Sequence, residues 1–221
     1  MGQEAILFGL RGYEVHTFEP LREQYNNLQF NLKLNCVNAF SYNYGLGSQA
    51  GTLCIGQAEL DSAELNSPGA HVLDMGRQDA ACPPARKIQV TTLDLIITPQ
   101  LNSRPVLLKI DCEGCEYRAL QGSRELLTKY PPFMINREVV MSREKMFDDQ
   151  IEFLHSFGYE IYFFGLTDKR VSEDYPLAYW SEHWKSRPIV AESDLAHFLV
   201  NSTAWELLAV HQDAKDLLGV N

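Results

Sequence analysis

Long apolar runs are missing from this 221-residue chain, and none could span a bilayer. Basic charge is short as well: 19 Lys and Arg stand against 29 Asp and Glu, a formal net charge of −10. A nucleic-acid partner would need a basic face, so that class of partner is not expected. The six histidines are scattered, and none pairs with another at metal-ligand spacing. Five cysteines, an odd number without regular spacing, read as the thiols of a reduced, cytoplasmic chain rather than a disulfide framework. Internal repeats, low-complexity tracts and any G-x-G-x-x-G fingerprint are also missing. The start, Met1-Gly2-Gln3-Glu4, has an acid where a signal peptide carries basic residues. Ile6 stands where a myristoylation start would have Ser or Thr.

What remains is ordinary globular material, with 45% hydrophobic and 22% charged residues. Its length fits a single domain spanning residues 1–221. Gln3 to Arg11 reads as a short helix stopped by Gly12. Val15 to Phe18 is a β-branched and aromatic strand ending at Glu19-Pro20. Leu21, Tyr25, Leu28 and Leu32 then recur on one face of a helix running to Leu34. Strands follow at Ala39–Tyr44 and Gly51–Ile55, joined by a turn-rich link, Gly45 to Ser48. Residues 57–86 show no period and read as a surface insertion. Ile88–Thr92 is a strand leading into a short helix from Leu93 to Ile97. Val106 to Asp111 is nearly continuous in apolar residues, the mark of a strand buried on both faces. A helix over Glu116–Lys129 follows, then a strand from Phe133 to Val140. Helix Glu144–Phe157 stops at Gly158, and Tyr159–Phe164 is another strand. An irregular aromatic-rich excursion covers 167–200, and Trp205–His211 closes the chain as an antiparallel edge strand. Alternating strands and helices imply an α/β, mostly parallel sheet with helices on both faces.

Ligands of such sheets bind at the carboxyl ends of the strands, where acids recur in this chain. Glu19 closes the first strand, and a carboxylate there can accept both hydroxyls of a ribose. Pro20 biases Glu19 toward extended backbone, aiming its side chain out of the sheet edge. The alternative is a surface Glu complementing the dipole of the next helix. The second group is Lys109-Ile110-Asp111-Cys112-Glu113-Gly114-Cys115-Glu116, with three carboxylates at a strand-to-helix corner. Like charges this close raise one another's pKa, which structure alone gives little reason to tolerate. Glu138 ends the next strand, one strand spacing away, where it either faces Asp111 or pairs with Arg137 or Lys109. Cys112-x-x-Cys115 superficially matches a redox or zinc half-motif but reads better as small buried thiols. Tyr175, Tyr179, Trp180, His183 and Trp184 could stack on a sugar ring, or form a small core under a loop.

In order along the chain, Val15-His16-Thr17-Phe18-Glu19-Pro20, Asn31-Leu32-Lys33-Leu34-Asn35, Thr92-Leu93-Asp94 and the lysine-to-glutamate run 109–116 resemble the landmarks of FkbM-type methyltransferases. Leu120-Gln121-Gly122 and Gly158-Tyr159 extend the resemblance, which covers roughly Gln3 to Phe164. It implies a class I, Rossmann-like methyltransferase fold and O-methylation from S-adenosyl-L-methionine. The implied acceptor is a hydroxyl of a sugar or another small metabolite. It also implies that Gly2, Phe18, Glu19 and Asp111 contact the cofactor. Asp111, Glu113, Glu116 and Glu138 are then the candidates for the general base that takes the hydroxyl proton. The same oxygens would suit a divalent cation, although no metal site is assigned.

Enzymes of this type begin with a strand running into an acidic, glycine-rich loop. Here Met1-Gly2-Gln3 matches the last glycine of that loop, so the strand is expected upstream of this sequence or lost. Loss would leave a non-catalytic binding or scaffold module, the main rival reading. An NAD-dependent oxidoreductase is the second, since Glu19 would serve either cofactor.

Overall fold

The computed structural model describes residues 1–54, 87–112, 115–138, 144–165, 190–191 and 205–214. Their contacts divide the chain into two compact units, Met1–Pro99 with Glu113–Arg124, and Gln100–Cys112 with Glu125–Asn221.

In the first unit, α1 (Gln3–Gly9) is followed by Gly12 at φ +84°, a left-handed position that only glycine takes without strain. Strand β1 (His16–Phe18) leads into α2 (Arg22–Leu34). As the spacing predicts, α2 buries Leu28 and Leu32, which pack with Ala5 and Val37. The helix ends with Cys36 in the left-handed region at φ 55°, where the Val37 N–H reaches back 2.9 Å to the Leu32 carbonyl. Strand β2 (Phe40–Tyr42) pairs parallel with β1.

The turn-rich link expected after it is instead a strand in part. β3 (Gly45–Leu46) lies parallel to β5 (Lys87–Thr91), whose other side takes β4 (Gly51–Cys54) antiparallel. Gly45, which reads as turn punctuation, lies where an added Cβ would press on the Ile88 side chain at 3.1 Å. Thr92 caps α3 (Leu93–Ile96), its hydroxyl accepting the Leu95 N–H at 3.2 Å. A 3-10 turn, Thr98–Gln100, follows.

The single helix expected over 116–129 is two: α4 (Glu116–Gln121) and α5 (Arg124–Lys129). Gly122 explains the break. A Cβ there would lie 2.0 Å from the Gly47 carbonyl oxygen, and the Gly122 carbonyl accepts the Asp94 N–H at 3.1 Å. That carbonyl is thus turned to a partner outside the helix.

In the second unit, β6 (Leu107–Ile110), β7 (Met134–Glu138), α6 (Glu144–His155), β8 (Tyr159–Gly165), β9 (Val190–Ala191) and β10 (Trp205–His211) follow in chain order. The strand order in the sheet is β6-β7-β10-β8-β9. β10 is antiparallel as expected, but it lies inside the sheet between β7 and β8 rather than at an edge. Its residues Leu207, Ala209 and Val210 have no solvent exposure, as an interior strand requires. The edge is β9, two residues of the 167–200 excursion. β6 is not buried on both faces: Ile110 is buried, but Leu107 and Leu108 are half-buried and Val106 is 44% exposed. Among the described residues β6 pairs on one side only, with β7. The architecture is therefore α/β with mixed sheets. Among the described residues three ladders are parallel (β1–β2, β3–β5, β6–β7), and four are antiparallel (β4–β5, β7–β10, β10–β8, β8–β9). The expected insertion at 57–86 and the aromatic positions 175–184 lie outside the described residues.

The expectation of reduced thiols is overturned. Cys54, Cys112 and Cys115 are disulfide-bonded, and Cys36 is the free cysteine among the described residues. Pairing depends on how close two Cα atoms come in the folded chain, which irregular spacing in sequence does not reveal.

Candidate functional site

In the first unit the site is built around the end of β1. Parallel pairing with β2 continues one residue further, the Glu19 N–H donating to the Tyr42 carbonyl at 3.1 Å. Asn43 then fastens the corner, its amide donating to the carbonyls of Glu19 at 2.9 Å and Pro20 at 3.0 Å. Neither the Asn43 contact nor its role was read from the sequence; an Asn directly after a strand was the available signal. The Glu19 carboxylate accepts the Leu21 N–H at 2.9 Å through Oε1. Oε2 takes no hydrogen bond from any described residue. Burial pushes the Glu19 carboxyl above its ordinary value, opposed by the Leu21 hydrogen bond and by the positive amino terminus. The alternative reading is thus half realised, since one oxygen does secure the start of α2. The other remains available as an acceptor.

Phe18 stacks on Tyr42, ring centroids 4.8 Å apart, in a series of rings continued by His16 and Phe40. His16 is held in turn by Tyr42 Oη at 3.2 Å and Glu14 at 3.1 Å. Gly2 sits at φ +81° immediately before α1, and a Cβ there would meet Leu28 Cδ1 at 2.5 Å. Both backbone and space therefore require glycine.

The motif residues Thr92-Leu93-Asp94 and Leu120-Gln121-Gly122 meet within this unit through the Asp94 N–H to Gly122 carbonyl bond. Asp94 also accepts from the Thr98 hydroxyl at 3.3 Å. These landmarks carry architecture. Glu116, the first residue of α4, is 5% exposed.

In the second unit, β6 and β7 run parallel with Ile110 opposite Arg137, so the next residues, Asp111 and Glu138, end adjacent strands. Glu206 at the start of β10 is in turn the register partner of Glu138. Three acidic positions share one end of this sheet, and Glu206 was missed in the sequence because its strand runs the opposite way. Asp111 is half-exposed and lies 3.6 Å from Lys109 Nζ, which also donates to Asn136 Oδ1 at 3.4 Å. Lys109 thus pairs with Asp111. Glu113 and the side chain of Glu138 lie outside what is described. Among the described residues no group of three His, Cys, Asp or Glu is placed to hold a metal ion. No described helix is long and apolar enough to cross a membrane.

A carboxylate closing a parallel strand ahead of a helix stands where open α/β sheets present residues to ligands. Residues 4–161 match the model of the methyltransferase FkbM domain, and the chain belongs to that methyltransferase family. No curated protein and no solved structure matches the chain.

Proposed function

We propose that the chain is an S-adenosyl-L-methionine-dependent O-methyltransferase of the class I fold, all 221 residues forming one catalytic domain. Its acceptor is a hydroxyl of a sugar or another small metabolite. The observation that carries this reading is Glu19: a half-buried carboxylate at a strand end, its pKa raised by burial, with one oxygen open to a donor. A ribose diol supplies two such donors. Phe18 adjoins Glu19 along the chain, and Gly2, Phe18 and Asp111 are the further cofactor contacts assigned by the family resemblance. When bound, the cofactor supplies an electrophilic methyl group on a sulfonium.

A neutral hydroxyl must lose its proton as its oxygen takes the methyl group. A carboxylate among Asp111, Glu113, Glu116 and Glu138 accepts that proton. The family membership supports methyl transfer, and the cofactor and acceptor are the parts that need testing. Glu19→Ala should weaken S-adenosylmethionine binding by roughly 1.5–3 kcal/mol, the range for hydrogen bonds to a charged group. Glu138→Gln should keep affinity and lose turnover, whereas Asp111→Asn should lose turnover and part of the affinity. Calorimetry with S-adenosylmethionine, and with NAD as control, decides the cofactor. Unchanged affinity in Glu19→Ala, or tighter binding of NAD, would sink the assignment.

A further inference from the structure

Two of the disulfide-bonded cysteines stand directly beside candidate acids: Cys112 follows Asp111, and Cys115 precedes Glu116. Cys115 is also the N-cap of α4, yet its side chain makes no capping hydrogen bond. Helix α4 has six residues, too few to hold together without outside support. Its far end has that support, since Gly122 packs against the Gly47 carbonyl and receives the Asp94 N–H. At its near end there is no side-chain cap, and Cys115 is instead disulfide-bonded. Cys112 likewise fixes the chain one residue after Asp111, a half-exposed side chain whose only short-range ion pair among the described residues is to Lys109 at 3.6 Å.

We infer that the disulfides of Cys112 and Cys115 hold the backbone on which Asp111 and Glu116 stand, and that the oxidised chain is the working form. Reduction would act as an off switch. A dithiol donates two electrons and two protons, the S–S bond breaks into two thiols, and the donor becomes a disulfide itself. The start of α4 and the residue after β6 are then released. Bonds of this kind persist in oxidising compartments and are lost to the thiol pool elsewhere. The domain is thus fitted to an oxidising environment, in contrast to the reduced, cytoplasmic setting expected from its cysteine spacing. This inference concerns the order of the backbone and stands apart from methyl transfer, although its consequence for activity rests on the function proposed above.

The test uses the full chain, made in an oxidising host and compared before and after treatment with a dithiol. Alkylation followed by mass spectrometry should label Cys36 in the untreated protein. Cys54, Cys112 and Cys115 should label only after reduction. Hydrogen exchange in peptides covering 106–121 should quicken on reduction, and the melting temperature should fall by about 5–20 °C. Cys112→Ser and Cys115→Ser should show the fast exchange without reductant, while Cys36→Ser should leave exchange and melting unchanged. Labelling of Cys112 and Cys115 in the untreated chain would overturn the inference, as would equal exchange in the two states. Failure of both states to bind S-adenosylmethionine would count against the proposed function alone, because the exchange comparison would still decide the redox inference.

Discussion

The two units solve the problem of burying a sheet in different ways. The second buries most of its middle strand deeply: Leu207, Ala209 and Val210 on β10, Ile135 on β7 and Leu154 on α6 show no solvent exposure. The first spreads its strands over a two-stranded pair and a three-stranded sheet; Leu120 on α4 is fully buried, but the core residues packed under α1 and α2, Ala5, Leu28, Leu32 and Val37, stay between 3% and 9% exposed. It also leaves Leu7, Leu10, Phe30 and Leu34 at 47–68% exposure. The lesson concerns where a carboxylate such as Glu19 can be tolerated. Glu19, a half-buried acid with one oxygen unmatched among the described residues, sits at the start of α2, beside this shallower part of the core, whereas Asp111 and Asp213 of the second unit lie toward solvent.

The largest effect expected from this difference is at Leu207. Leu207→Ala, at a fully buried position of an interior strand, should remove about 3–5 kcal/mol, read from the urea midpoint. A loss below that caused by Leu32→Ala in the first unit would show that the second core is not the deeper one.

Next comes Gly122→Ala, a test of close packing within the first unit. The added methyl meets a backbone oxygen, which cannot rotate away as a side chain would. A destabilisation of about 1–3 kcal/mol follows, which is roughly 2–12 °C in melting temperature for a chain of this size. No change would mean that Gly47 moves freely, and that the break between α4 and α5 has another cause.

Much of the frame was legible in the sequence, for reasons tied to particular residues. Leu28 and Leu32 announced the buried face of α2, and Glu19-Pro20 announced a strand end. The failures were of another kind. β3 was missed because Gly45 and Leu46 carry no strand periodicity; their pairing comes from Val90 and Thr91, more than forty residues away. The break at Gly122 depends on Gly47, equally remote in sequence. The interior place of β10 is likewise set by distant partners. The strand-end positions of Glu19 and Asp111 were legible from the sequence, while the corner made by Asn43 in the first unit and the place of Glu206 in the second were not. Their placement follows from a neighbouring strand, which no local pattern encodes.

A smaller effect separates the units by acidity. His211, buried in the second unit, has its pKa lowered by burial and by the positive Arg104 nearby, against the raising influence of Asp213 and of a hydrogen bond to Phe157. Its folded value lies below the unfolded 6.5, so its contribution is fully present above about pH 6.5. That contribution fades as pH falls through the folded value. Between pH 7.5 and 5.5 the urea midpoint of the wild type should therefore fall more steeply than that of His211→Gln. Parallel slopes would remove His211 as the cause.

The smallest expected effect, and the one that bears most on function, is the stability of Glu19→Gln. Burial raises the folded pKa of Glu19 above the ordinary 4.5, so its contribution is complete below that pH and is lost as pH rises through the folded value. At neutral pH the ionised side chain works against folding. Gln keeps an oxygen to accept the Leu21 N–H and removes the charge. The variant should match the wild type near pH 4 and exceed it at pH 7, by roughly 0.5 kcal/mol, while losing affinity for the cofactor. Such a pairing of gained stability with lost binding is what a carboxylate held for a ligand produces. If the charge instead serves to start α2, its hydrogen bond to Leu21 weakens when neutralised, and Glu19→Gln is less stable at pH 7. Equilibrium unfolding of the two proteins at both pH values separates these outcomes, since they differ in sign and not merely in size.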